Sequence, residues 1–550
     1  MNALRLIPHL TVSLACALLI VVAVFLVPAG ASEADDAADR AKARTEADAL
    51  QARYASNVRF TDFASFSKRM DAVRGLGKLD TPRARTHLLR IARAAKGIDD
   101  RIVAFTALGP KLDVAEARAL ADMVSRRRDP LLTQALTQAY ILAAGDEVLT
   151  WLATTALLIK EPAVLQAVID AQSIHGDVRA RPGLRAIFEA HKDRERTVIL
   201  AHGALRAIGT IGHADDLSFL IRVAALDDWR LRLACAETIA RQKTMETLVR
   251  ATVVKLLHDD HPVVTEAAAE SAGRASMVEL TDNLADRLKD EHVRTRAVAH
   301  EALVEMHGHD LGWDPDDWKR WWKVREGLPE DIQRAPSSSV TSYYGVTAHS
   351  DRLLFIIDLS GSMAFPWGAE VDKTRIGVAK RQLTKAIEGL HEKTLFNVIV
   401  FSDDVKSWRK SGEVIASTAA KASALKWVDK MFEKPQGGTF MHAALETAFS
   451  QNPKVDTIFL LTDGLATDGE PIVPEAILAS VNRWNRFRRV VLHTFALTLE
   501  DLQSDGLHKD NLVEIKRFMK RLATLTGGEC RVITKPPPSK SNGAKGGDAK

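Results

Sequence analysis

Four short, nearly continuous apolar runs mark the second half of the chain, at residues 353–357, 396–401, 457–461 and 490–497. Short runs rich in β-branched and aromatic residues, without polar alternation, are those of parallel strands buried on both faces. Between them, residues 376–390, 417–432 and 441–449 place apolar side chains at helical spacing. Strand and helix therefore alternate, which predicts a doubly wound, Rossmann-like α/β sheet over residues 350–534.

Residues 80–327 carry a different pattern: they are rich in Ala, Leu and Arg, with few strand-like runs. An Asp followed by an aliphatic residue three positions on, and then by small residues, recurs. The clearest copies are Asp228-Trp229-Arg230-Leu231-Arg232, Asp260-His261-Pro262-Val263-Val264 and Asp290-Glu291-His292-Val293-Arg294, which start 32 and 30 residues apart. Weaker copies run back through Glu195, Glu161, Asp129 and Asp99. A fixed period with small packing residues predicts stacked helix pairs, about seven units of an all-α solenoid. The pattern resembles the short class of HEAT repeats, a resemblance that implies Asp and Arg side chains stitching neighbouring turns. The rival reading is an irregular helical domain whose Ala content imitates a period.

Four of the ten tryptophans, Trp313, Trp318, Trp321 and Trp322, fall where the repeats stop. They are expected to cap the last unit rather than to offer a ligand surface. Residues 328–349, Ser-rich around Pro336, read as a linker that lets the two domains move relative to one another. Residues 32–79 form a charged spacer or helical lead-in, and residues 535–550, with three consecutive prolines, are expected to be disordered.

Within residues 1–31 Arg5 is the one Lys, Arg, Asp or Glu, and it precedes an uncharged apolar stretch that ends at Ala29-Gly30-Ala31. This is the layout of a secretory signal cleaved after Ala31, with an uncleaved membrane anchor as its rival. Either one exports the rest of the chain to the periplasm, the cell surface or the medium. Cys16 lacks the context of a lipoprotein signal. After the signal only Cys235 and Cys530 remain, so no disulfide framework is on offer.

The candidate chemistry sits at the ends of the strand-like runs. Asp358, Ser360 and Ser362 close FIIDLSGSM, Thr439 lies in QGGTF, and Asp463 follows FLLT. All five side chains offer carboxylate or hydroxyl oxygen, the donors a hard divalent cation takes. In doubly wound sheets ligands gather outside the carboxyl ends of the strands, so separate loops would converge there. Read alone, Asp358-Leu359-Ser360-Gly361-Ser362 is also an ordinary tight turn. Gly437 and Gly438 suit either a loop brought close to an ion or a merely flexible one.

With Thr439 and Asp463 in order behind it, the motif resembles the metal-ion-dependent adhesion site of von Willebrand factor A domains: Asp-x-Ser-x-Ser, a distant Thr, a distant Asp. The resemblance implies that Ser360 and Ser362 hold a cation directly, Thr439 directly or through water, and Asp358 and Asp463 mostly through water. It implies Mg2+ first, with Mn2+ and Ca2+ as alternatives, and an open position filled by an acidic residue of a protein partner.

Charge and motif searches narrow the remaining classes. Lys+Arg 75 against Asp+Glu 71 gives no basic excess that would call for nucleic acid. His300, Glu301 and His307 miss the spacing of a zinc peptidase, and His258-Asp259-Asp260-His261 falls on a predicted inter-helix turn. No phosphate loop, nucleophile elbow or paired CxxC is present, so no catalytic residue is expected. The expectation is an exported, non-enzymatic interaction protein, its repeats serving as scaffold or second binding surface. Its rivals are a metal-dependent hydrolase or chelatase-like accessory enzyme, and a cation that only holds loops together.

Overall fold

A computed structural model describes residues 33–59, 62–242, 246–324, 340–367, 374–467, 471–498 and 506–534. The signal segment and the C-terminal tail expected from the sequence lie outside these residues. Among the described residues no helix is long and apolar enough to cross a membrane.

The N-terminal region is all-helical. One row of helices, α1 (Ile98–Leu108), α2 (Pro130–Leu142), α3 (Pro162–His175), α4 (Val198–Ile211), α5 (Trp229–Thr238), α6 (Pro262–Arg274) and α7 (Val293–His307), packs each member on the next. Each of the seven acidic positions singled out in the sequence lies within three residues of the start of one of these helices. Asp129 and Asp228 cap α2 and α5 by accepting from the Leu131 and Arg230 backbone N–H groups at 2.8 and 2.9 Å. Proline occupies the first helical position of α2, α3 and α6, where its missing N–H costs nothing.

Arginines tie several units to their neighbours. Arg230 forks onto Glu195 at 2.8 and 2.7 Å, Arg232 onto Asp259 at 2.6 and 2.8 Å, and Arg181 and Arg185 share the fully buried Asp216. Asp259 also accepts from the His261 N–H at 2.9 Å, so the His258–His261 cluster is a turn and a stitch. The lead-in is part of the same body: residues 33–57 and 63–78 are helical, and Ala47, Tyr54, Met70, Val73 and Leu76 join its core.

At the other end, helix α8 (Pro315–Val324) buries Trp318, whose indole N–H donates to Gly312 O at 2.8 Å. Trp313 stacks on His300 with ring centres 4.2 Å apart, and His307 and His309 pack against Trp321. The histidines that failed the peptidase spacing are thus bound up in an aromatic cap.

The C-terminal region is a mixed sheet between helices. Strands β1 (Val340–Tyr343) and β2 (Val346–His349) form a separate antiparallel hairpin. The main sheet contains β3 (Arg352–Asp358), β4 (Leu395–Phe401), β5 (Val405–Ser407), β6 (Val414–Ile415), β7 (Thr457–Thr462), β8 (Val491–Thr498) and β9 (Cys530–Thr534). Its order is β5-β4-β3-β7-β8-β9, with β3, β4, β7, β8 and β9 parallel and β6 pairing with β4. Helices α9 (Arg375–Gly389) and α10 (Thr418–Met431) cover the face carrying Leu353, Phe355 and Ile357. Helices α11 (Met441–Gln451), α12 (Pro474–Asn485) and α13 (Gly506–Leu525) cover the face carrying Leu354 and Ile356. Both faces are dry, which is why these strands read as unbroken apolar runs.

Two expectations change. The linker expected at 328–349 ends early, because residues 340–349 form the β1–β2 hairpin. Tyr344 and Gly345 both take positive φ, the geometry of a two-residue turn, and Tyr343, Val346 and Ala348 enter the sheet core.

The domains are also not free of one another. Asp99 of α1 accepts from the Ile472 and Val473 N–H groups at 3.1 Å, and Arg486 meets Asp170 of α3 at 2.7 Å. Phe487 lies edge-on to His202 and Trp229. Arg489 reaches Glu237 at 3.2 Å and Glu270 at 2.5 Å. The turn after α12 is built for this. Arg489 adopts φ 52°, Asn485 closes the turn on both sides of Val490 at 2.7 and 2.8 Å, and Arg488 holds the Phe449 and Asn452 carbonyls at 2.6 Å.

Arg489→Ala removes the cation from two carboxylates at a covered surface, and it should cost about 3 kcal/mol. Urea unfolding of the full chain measures this. Separate transitions for the helical and α/β parts are expected in the variant, and one unchanged transition would show that the contact does not hold them together.

Candidate metal centre

Asp358 is the last residue of β3 and Asp463 is the first beyond β7, and these strands are neighbours in the sheet. Parallel pairing therefore delivers both carboxylates to the same edge. Asp358 is fully buried, its Oδ1 accepting from Ser360 N at 2.7 Å and its Oδ2 from the Thr462 hydroxyl at 2.6 Å. Ser360 Oγ lies 3.1 Å from Ser362 Oγ, and Ser362 donates to Asp463 Oδ1 at 2.7 Å. Four of the five singled-out residues thus form one hydrogen-bonded chain across two loops.

Thr439 joins through its backbone. Its loop is zipped to the Asp358 loop by Gly361 N–H to Gly437 O and Gln436 N–H to Leu359 O, both 3.0 Å, and Thr439 N–H donates to Thr467 Oγ1 at 3.1 Å. Gly437 has φ +85°, and a Cβ there would sit 2.2 Å from Asp403 Oδ2. Asp403 also accepts from the Gly438 N–H at 2.5 Å, so it organises this loop. The close approach that requires glycine at 437 is therefore to Asp403.

Two acids this close, one fully buried, favour holding a proton or a cation. Burial first, and the Asp463 carboxylate second, push the Asp358 carboxyl up to about 7. Arg375, the first residue of α9, supplies a positive group: its guanidinium forms a salt bridge with Asp463 Oδ2 and lies 5.6 Å from the Phe365 ring centre. The donor set fits a hard dication: two carboxylates and three hydroxyl side chains on loops that converge, with no sulfur or imidazole among them. Sequence reasoning missed Arg375, Thr462 and Asp403. Thr462 sits beside Asp463 in the same run and could have been read with it, whereas nothing in the local pattern marks the other two.

Residues 351–506 match the family model of the von Willebrand factor type A domain. Within the curated human proteins the chain is 27% identical over 195 residues to inter-alpha-trypsin inhibitor heavy chain H4, covering 34% of this chain and 19% of that protein. It is 28% identical over 152 residues to heavy chain H6, covering 25% of this chain and 11% of that one. The chain thus spans less than a fifth of the length of these relatives. A solved von Willebrand factor type A protein from Catenulispora acidiphila is 21% identical, covering 34% of this chain and 39% of that chain with a TM-score of 0.26. An A domain suits protein interaction or adhesion, and the match leaves the helical region unassigned.

The loop geometry yields a test. Gly437→Ala forces a positive-φ alanine against Asp403 and should cost about 1–3 kcal/mol. Thermal unfolding of the full chain checks this, and an unchanged midpoint would mean that the loop carrying Thr439 tolerates displacement.

Proposed function

We propose that this chain is an exported, non-enzymatic binding protein whose A domain holds a divalent cation through Asp358, Ser360, Ser362, Thr439 and Asp463. Mg2+ is the first choice, given oxygen-only donors, with Mn2+ and Ca2+ as alternatives. The observation that carries the reading is the hydrogen-bonded chain from Asp358 through Ser360 and Ser362 to Asp463, which brings separate loops to one strand edge. Bound there, the cation would supply an electrophilic point for an acidic side chain of a protein partner. Ser360, Ser362 and Thr439 offer neutral oxygens, so the charge facing the cation comes from Asp358 and Asp463, the latter already paired with Arg375.

The helical region serves in this reading as a HEAT-like solenoid and as a scaffold. The capping acids and the Arg–acid stitches between successive units support that description. Its α1–α6 surface is engaged by the protein's own A domain through Asp99, Asp170, Glu237 and Glu270, which favours a scaffold over a second open binding surface. Export rests on the signal-like residues 1–31.

Titration calorimetry of the full chain with Mg2+, Mn2+ and Ca2+, beside Asp358→Ala, tests the proposal. Saturable binding is expected in the parent and at least a hundredfold weaker binding in the variant. Partners retained on the immobilised parent should be released by EDTA. Equal metal binding by both proteins, or by neither, would remove this site from the account.

A further inference from the structure

Arg375 is the one cationic side chain with a salt bridge to an acid of the candidate centre among the described residues. Its position is fixed from several sides. Its backbone N–H donates to Phe365 O at 3.0 Å, and Thr374 before it caps α9 by accepting from Gly377 N–H at 3.2 Å. Residues Pro366 and Thr374 are bridged, closing the loop base. The Arg375 side chain is 10% exposed, its guanidinium is near enough to the Phe365 ring for cation–π attraction, and its Nε has no hydrogen-bond partner among the described residues.

Each carboxylate oxygen of the site already has a partner in this arrangement. Asp358 spends its two on Ser360 N–H and Thr462 O–H, and Asp463 spends its two on Ser362 O–H and Arg375. Arg375 therefore neutralises one of two acidic charges, leaving a net of one negative charge for a dication to meet. A dication drawing on Asp463 would compete with the guanidinium for the same carboxylate and would be repelled by it at short range and low exposure, where screening is weak.

We infer that Arg375 is an internal counter-cation that competes with the divalent ion for Asp463, and so sets the ion concentration at which the site loads. This rests on the metal-binding reading above. It also makes Arg375 a determinant of what the loaded site attracts. Two carboxylates, one guanidinium and one dication sum to one positive charge, whereas without Arg375 they sum to zero. A loaded site with surplus positive charge suits an anionic ligand.

Calorimetric titration of the full chain with Mn2+ alone tests the inference on the parent and on Arg375→Gln, Arg375→Met and Arg375→Lys. The Met variant keeps an apolar stem beside Phe365 without charge, so it stands in if Gln fails to fold, and circular dichroism with a melt in EDTA verifies folding. Either folded uncharged variant should bind Mn2+ about tenfold or more tightly than the parent, on the order expected for losing one nearby like charge. Its melting midpoint in EDTA should fall, and the Lys variant should stay within about threefold of the parent. Unchanged or weaker Mn2+ affinity in a folded uncharged variant would overturn the competition while leaving the metal site standing. Absence of Mn2+ binding in parent and variants alike would overturn the metal reading itself, and the inference with it.

Discussion

The arrangement of the C-terminal domain turns on one electrostatic constraint: two carboxylates must share the edge of a dry sheet. Asp358 and Asp463 end adjacent parallel strands, and the apolar residues behind them, Leu353 to Ile357 and Ile458 to Leu461, exclude water from both faces. Burial, and then the Asp463 carboxylate, raise the affinity of Asp358 for a proton, against which hydrogen-bond donors act. The neighbouring groups are consistent with that demand. Ser360 N–H and the Thr462 hydroxyl occupy Asp358, while Ser362 and Arg375 occupy Asp463. The Gly437–Gly438 turn, which packs on Asp403 where a Cβ would not fit, is tied to the Asp358 loop by Gly361 N–H donating to Gly437 O.

A second constraint places this domain against the helical one. Helix α12 and the turn after it project Arg486, Phe487 and Arg489 onto acids and aromatics drawn from α3 to α6, while Asp99 of α1 takes the N–H groups ahead of α12. The apolar part of this contact is continuous with the helical core, since Val473 and Ala476 belong to it. Burying charges at such a surface is favourable only when each finds a partner, and Arg489 finds two. The same α12 follows the loop that begins at Asp463, so scaffold and candidate site are close along the chain.

Much of this was legible in the sequence because it depends on local pattern. Strands buried on both faces leave unbroken apolar runs, and β3, β4, β7 and β8 lie on the four that were read. Helix starts favour acids, and the seven acidic positions fall beside the starts of α1 to α7. The convergence of Asp358, Ser360, Ser362 and Asp463 was legible because each follows its strand in a recognisable order. Arg375 and Asp403 were not, since their roles depend on which loops meet across the strand edge. The β1–β2 hairpin was lost in a Ser-rich stretch, its signal being only the Tyr344-Gly345 turn between two short alternating runs. The docking of the domains was unreadable for a similar reason. Arg486 and Arg489 look like ordinary surface charges until the fold sets them opposite Asp170, Glu237 and Glu270.

The central claim, that the strand edge shared by Asp358 and Asp463 is a cation site, is tested most directly by anomalous scattering from crystals of the full chain grown with Mn2+. The account predicts an anomalous peak among Ser360, Ser362 and Asp463, with Thr439 on its border. A difference map with no peak there, while Mn2+ is visible elsewhere in the same crystal, would contradict it.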